Sequence, residues 1–191
     1  MKVVAFNGSP RKNGNTSIAI GAVLAELEKE GIKTEIVQVG GKDIKACNGC
    51  GKCKDTKDGF CVIDKDILNG CLKKMYEADG IIVGSPVYFG SVTPETKALI
   101  DRAGYCARAG GYLLKRKVCA GVAVARRQGA VSVVNQINNL FILNQAILPS
   151  SIYWNMGIGK GIGEIRNDEE GMKTFKVLGE NMAWLLQKLS S

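Results

Sequence analysis

Four of the seven cysteines in this chain fall in the stretch ACNGCGKCKDTKDGFCV, residues 46–62, as Cys47, Cys50, Cys53 and Cys61. The spacing is C-x2-C-x2-C-x7-C. Thiols this close can pair, hold a metal, or stay free for redox work. Three cysteines between Cys47 and Cys53 form an awkward framework for disulfides, and a reducing compartment disfavours them further. Four thiolates can hold zinc, although structural zinc sites ordinarily use two separated C-x2-C knuckles. Three thiols at this spacing can instead each meet a different iron of a cubane, and the fourth closes the site after a short loop. Gly49, Gly51 and Gly59 would relieve the backbone as it wraps, and Lys45, Lys52, Lys54 and Lys57 would offset negative charge. The leading expectation is a [4Fe–4S] cluster, with zinc and unmetallated redox thiols as alternatives. Cys71, Cys106 and Cys119 read as small core residues.

The chain has no histidine. That excludes Ser-His-Asp and Cys-His nucleophile systems, mixed Cys/His zinc sites and a Rieske centre. A second stretch with chemical potential is NGSPRKNGNTS, residues 7–17, which offers glycines, hydroxyls at Ser9, Thr16 and Ser17, amides at Asn13 and Asn15, and a cation at Arg11. Placed before a helix, these groups join free N–H donors and the positive end of the dipole, which suits a phosphate. The plainer alternative is a helix start capped by Asn15 or Thr16. The stretch is neither a P-loop nor GxGxxG.

The elements that must position these residues alternate along the chain. Apolar runs predict strands at 2–6, 33–39, 80–85 and 117–125, with a fifth near 148–154. Periodic apolar positions predict helices at 16–30, 64–78, 94–107, roughly 130–145, and about 168–189. Such alternation implies an α/β fold, a doubly wound parallel sheet of five strands in the flavodoxin-like order 2-1-3-4-5, with the cysteine-rich loop at 45–63 inserted before the third strand. The whole chain, 1–191, reads as one domain. Ligands bind such sheets beyond the carboxyl ends of their strands, where 7–17 falls, together with SPVYFGSVTPETKALIDR at 85–102 and ARRQGA at 125–130. Lys97 and Asp101, four apart on a helix, read as an ion pair.

The formal net charge is +8, from 26 Lys and Arg against 18 Asp and Glu. The basic residues are dispersed and no recognition motif accompanies them, so nucleic acid is not expected as a partner, whereas an acidic electron-transfer partner suits the balance. The apolar runs are too short for a bilayer and the N-terminus lacks the pattern of a signal peptide, so no membrane association and a cytoplasmic location are expected.

The loops carry a resemblance over essentially the whole chain. GSPRKNGNTS resembles the FMN-phosphate loop of the flavodoxin-like NAD(P)H-dependent FMN reductase superfamily, and SPVYFGSVTPETKALIDR is similar to its SPVY-x-G-x(3)-P-x-x-K-x-x-x-D-R segment. With the cysteine motif before the third strand, the sequence resembles the iron–sulfur flavoproteins of that superfamily. The resemblance implies FMN and a [4Fe–4S] cluster as cofactors. Ser9, Arg11, Asn15, Thr16 and Ser17 would hold the phosphate. Pro86, Val87, Tyr88, Phe89 and Gly90, with Ala125 and Arg126 in the third loop, would line the flavin, and Cys47, Cys50, Cys53 and Cys61 would bind the cluster. It further implies electron transfer from a ferredoxin-type donor, a homodimer or homotetramer, and dioxygen, peroxide or quinones as small oxidants. The alternative it leaves is an NAD(P)H-dependent FMN or quinone reductase without a cluster. A zinc-stabilised binding module is the non-enzyme alternative.

Overall fold

The computed structural model describes residues 1–190. Five parallel strands, β1 (Lys2–Asn7), β2 (Lys33–Gln38), β3 (Gly80–Pro86), β4 (Val118–Ala125) and β5 (Met156–Ile158), form a sheet in the order β2-β1-β3-β4-β5. The helices are α1 (Asn15–Lys29), α2 (Lys52–Thr56), α3 (Leu68–Glu77), α4 (Pro94–Ala109), α5 (Ala130–Ile142) and α6 (Glu169–Ser190). The order is the one the alternating pattern predicts.

The inner strands are apolar throughout because both faces are covered. Side chains alternate between two cores, as a period of two requires. Val4, Phe6, Ile81, Val83, Cys119 and Ala123 pack with Leu72 and Met75 of α3, Leu99 of α4, and Ile137 and Phe141 of α5. On the other face, Val3, Ala5, Ile82, Ala120 and Val122 pack with Ile20 and Leu27 of α1 and Leu178 and Met182 of α6. Cys71 and Cys119 are buried as expected, and burial pushes the Cys71 thiol up to about 11 and the Cys119 thiol up as well.

The fifth strand lies elsewhere than expected. Ile147 makes a single parallel bridge to Val118, the chain then leaves the sheet, and it rejoins β4 only at Met156–Ile158. Pro149 has no N–H to donate to a ladder. The Ser151 hydroxyl lies 2.7 Å from both the Tyr153 carbonyl and Asn155 Oδ1, which curls the segment outward. Ile152, Tyr153 and Trp154, whose types suggest a strand, are exposed on this excursion.

Candidate functional site: a loop edge and a clamped cysteine loop

The loop after β1 is shaped by close backbone packing. Gly8 N–H donates to Gly84 O at 2.7 Å, and the Thr93 hydroxyl donates to Gly8 O at 2.8 Å. A Cβ on Gly8 would fall 1.9 Å from Thr96 Oγ1, and one on Gly40 would fall 2.3 Å from the Ser9 carbonyl carbon, so neither position admits a side chain. Buried Asn7 accepts from Ser9 N–H at 3.1 Å and donates to Gln38 Oε1 at 2.9 Å. The Gln38 amide in turn donates to Ser9 O and Gly40 O at 2.6 and 2.7 Å.

This loop delivers an uncapped helix. The residue preceding α1 is Gly14, and no side chain caps the first turn, so neither Asn15 nor Thr16 is the cap that the plainer reading expects. Helix α5 likewise starts behind Gly129 without a side-chain cap, whereas α4 has Thr93 as its cap and Pro94 at its first position. Both uncapped starts lie at the carboxyl edge of the sheet, with free N–H groups and positive dipole ends. Arg11 is exposed and Ser17 half-buried, while Ser9 and Thr16 are buried. Ser9 Oγ accepts from Arg11 N–H at 3.2 Å and keeps its own proton to donate.

Asn15 is engaged differently. Its amide donates to Gly159 O and Gly161 O at 3.1 and 2.7 Å, and its oxygen accepts from Gly163 N–H at 2.7 Å. The side chain therefore pins the loop after β5, and what Asn15 keeps for a ligand is its backbone N–H.

The second and third loops meet the first. Val87 N–H donates to Val124 O at 3.0 Å, and a Cβ on Gly129 would fall 2.9 Å from the Val87 side chain. Tyr88 and Ser91 exchange N–H···O bonds of 2.8 and 3.0 Å across Phe89 and Gly90, both at positive φ (49° and 76°). A bulky residue at positive φ is uncommon, and such strain persists where the surroundings impose it. Phe89 is fully exposed at the tip, with Tyr88 partly exposed beside it. Ala125 is buried at the end of β4, and its carbonyl accepts from Gly159 N–H at 2.9 Å; Arg126 is exposed next to it. The structure thus brings Ser9–Ser17, Pro86–Gly90 and Ala125–Arg126 to one edge.

The cysteine loop is a separate construction. Gly49, Gly51 and Gly59 all take positive φ, 69°, 72° and 83°. Gly51 precedes the short α2, which carries Cys53. The Asn69 side chain holds Cys61 by both backbone groups, accepting from its N–H at 2.9 Å and donating to its carbonyl at 2.8 Å. Cys47, Cys50, Cys53 and Cys61 line one cavity of about 140 Å³, closed by Arg102, Tyr105 and Cys106 of α4. All seven cysteines are free thiols.

The loop hangs on Arg102, whose role the sequence reading missed. Its side chain is 1% exposed. Nη1 donates to Lys45 O at 3.0 Å and to the Asp66 carboxylate, and Nη2 donates to Ile63 O at 2.6 Å. One guanidinium therefore holds both ends of the loop. Asp66 also accepts from Lys45 N–H at 2.9 Å and from Leu68 N–H at 3.0 Å, and α3 accordingly starts at Leu68, later than its apolar pattern suggests. Burial alone would raise the Asp66 pKa, but the bonds from Arg102, Lys45 and Leu68 outweigh it and hold the carboxyl below its ordinary value. Burial likewise works against the charge on Arg102, but its hydrogen bond to the Asp66 carboxylate, with the Cys61 sulfur nearby, overrides it, so its pKa is raised.

Cys106 is buried in the core as expected, and it also lies against Cys53 and Cys61; burial first, then these neighbours, push its thiol up to about 12. The 97–101 pair is as expected, with Lys97 Nζ 2.5 and 2.7 Å from the Asp101 oxygens.

Two observations bear on what the cavity fits. Among the described residues, no three Cys, Asp or Glu side chains converge as a single ion would require. Tetrahedral zinc at about 2.3 Å would draw its sulfurs to within roughly 4 Å of one another, whereas a cubane spreads four thiolates over four irons. Arg102 lines this cavity, and its buried Nε–H makes no hydrogen bond within the protein. Four thiols around a pocket with an unused cationic donor suit an anionic group larger than one ion.

The fold has close counterparts among known structures. A WrbA-like flavodoxin from Agrobacterium tumefaciens superposes with a TM-score of 0.66 over 98% of this chain and 97% of its own, at 15% identity. Residues 1–161 match the family described as NADPH-dependent FMN reductase. The chain belongs to that family, whose members are flavin-dependent oxidoreductases, and within it to the iron–sulfur flavoproteins. An iron–sulfur flavoprotein of Methanocaldococcus jannaschii is 40% identical over 190 residues, covering 96% of each chain. One from Methanosarcina thermophila is 33% identical over 186 residues, covering 93% of this chain and 95% of its own. Among the described residues no helix is long and apolar enough to cross a membrane.

Proposed function

We propose that this chain is an electron-transfer flavoprotein that binds one FMN at the loop edge and one [4Fe–4S] cluster through Cys47, Cys50, Cys53 and Cys61. The observation that carries the reading is that these four thiols line one cavity together with Arg102, whose buried Nε–H makes no hydrogen bond within the protein. Ser9, Thr16 and Ser17 hydroxyls, the free N–H groups of α1 and Arg11 would hold the FMN phosphate. Pro86 to Gly90, with Ala125 and Arg126, would line the ring, Tyr88 and Phe89 giving flat apolar surface. Bound FMN supplies one- and two-electron chemistry, and the cluster supplies single-electron steps. The protein's own part is to hold the two groups apart and shield them. Arg102 lies nine residues beyond Thr93 along α4, about 14 Å at a rise of ~1.5 Å per residue, so one helix spans both sites.

A ferredoxin-type donor fits the basic surface, and a homodimer or homotetramer would cover the exposed Phe89. Small oxidants such as dioxygen, peroxide or quinones are the terminal acceptors in this reading, and the chain works in the cytoplasm. The test is an anaerobic reductive titration. With both groups bound, the protein takes up about three electrons per chain, two for FMN and one for the cluster, and reduced ferredoxin bleaches it faster than NADPH does. Uptake of about two electrons with rapid bleaching by NADPH would assign a cluster-free FMN reductase instead.

A further inference from the structure

Arg102 carries more hydrogen-bonding capacity than its clamp uses. Nη1 and Nη2 reach Lys45 O, Asp66 and Ile63 O, and these bonds set the plane of the guanidinium. Nε lies in that same plane, is buried, and finds no acceptor. A buried charged donor left unmatched is strongly unfavourable, so Nε calls for an acceptor beyond the oxygens of the clamp. Arg102 itself lines the cavity that Cys47, Cys50, Cys53 and Cys61 share. Cys61 stands beside the guanidinium and lines the same cavity.

We propose that Arg102 Nε–H donates a hydrogen bond to a sulfur at the Cys61 corner of the bound cluster. One side chain would then serve twice, closing the neck of the loop through its terminal nitrogens and setting the cluster's potential through Nε. A donor aimed at sulfur stabilises the reduced cluster, which carries one more negative charge, and so raises its midpoint potential. Lysine would keep the charge at this position but has no planar fork to hold the loop and the sulfur together. The inference rests on the reading that the four cysteines hold a cluster.

The experiment uses protein purified without oxygen and labelled with 15N at arginine Nε, reduced with dithionite and examined by pulsed EPR. Iron and sulfide are counted first; a protein without them refutes the cluster reading itself, and this inference with it. With a full cluster, the expected result is a weak 15N coupling that disappears in Arg102→Lys, together with a lower midpoint potential in that variant. Asp66→Asn, which frees the guanidinium to swing, should weaken the same coupling, and it serves where Arg102→Lys does not retain its cluster. A full cluster without arginine 15N coupling would overturn the proposal. So would a coupling that persists unchanged in either cluster-containing variant, or an unaltered potential in Arg102→Lys.

Discussion

The loop edge and the cysteine loop are held by different means. At the edge, the backbone does the work. Gly8 and Gly40 admit no side chain, Asn7 and Gln38 tie neighbouring turns together, and helices α1 and α5 start behind glycines with their first N–H groups uncapped. The cysteine loop lies outside the sheet, its glycines at positive φ, and both its ends converge on a single buried Arg102–Asp66 pair. The edge is a consequence of the fold, while the cysteine loop is an attachment to it. Damage to one should therefore leave the other's ligand in place.

The largest separation is expected from Cys53→Ser. Iron and the visible absorbance of the cluster should fall away while FMN per chain stays at the wild-type value. Loss of both would show that the two regions are not independent. Asp66→Asn leaves Arg102 buried without its counter-ion and should destabilise the protein by about 3–5 kcal/mol. Hydrogen exchange should rise first between residues 45 and 66, and uniform exchange across the sheet would contradict the attachment. The same pair sets an acid dependence. The Asp66 pKa is depressed on folding, so its contribution is present above the ordinary value of 3.8 and is lost as pH falls through the lower folded value. Loss of the loop's hold on the cluster on acidification should accordingly have a component that sets in below about pH 4 and is absent in Asp66→Asn.

Substitutions at the edge should show the converse. Arg11→Ala should weaken FMN binding by about 1.5–3 kcal/mol, from loss of a charged hydrogen bond to phosphate, with iron content unchanged. Unchanged FMN affinity would remove Arg11 from the site. Gly8→Ala drives a methyl into Thr96 and should lower stability by about 1–3 kcal/mol along with FMN affinity. The smallest effect is expected from Lys97→Ala. This pair lies on the exposed side of α4, and its loss should cost only about 0.3–0.5 kcal/mol in thermal or denaturant unfolding and change neither ligand.

The sheet order, the three edge loops and the four thiols were legible because each is written locally. Apolar runs mark strands buried on both faces, and a loop after such a run lies at the carboxyl edge. The features that were not legible depend on partners far along the chain. Asn15 looks like a cap or a phosphate ligand until its contacts with Gly161 and Gly163, 146 and 148 residues away, are seen. Arg102 was read as part of a motif, but its role lies in bonds to residues 36 to 57 positions earlier. Cys106 has the burial of a core residue and reveals its place only by lying against Cys53 and Cys61. The Ile152-Tyr153-Trp154 run has strand-forming residues, but Pro149 and the Ser151 bonds turn it off the sheet.

The central claim is that this chain carries two separate redox groups, each on its own scaffold. The most direct measurement is iron, acid-labile sulfide, zinc and FMN per chain on protein purified without oxygen. The account predicts about four irons, four sulfides and one FMN, with no stoichiometric zinc. One FMN without iron, or zinc in place of iron, would contradict it.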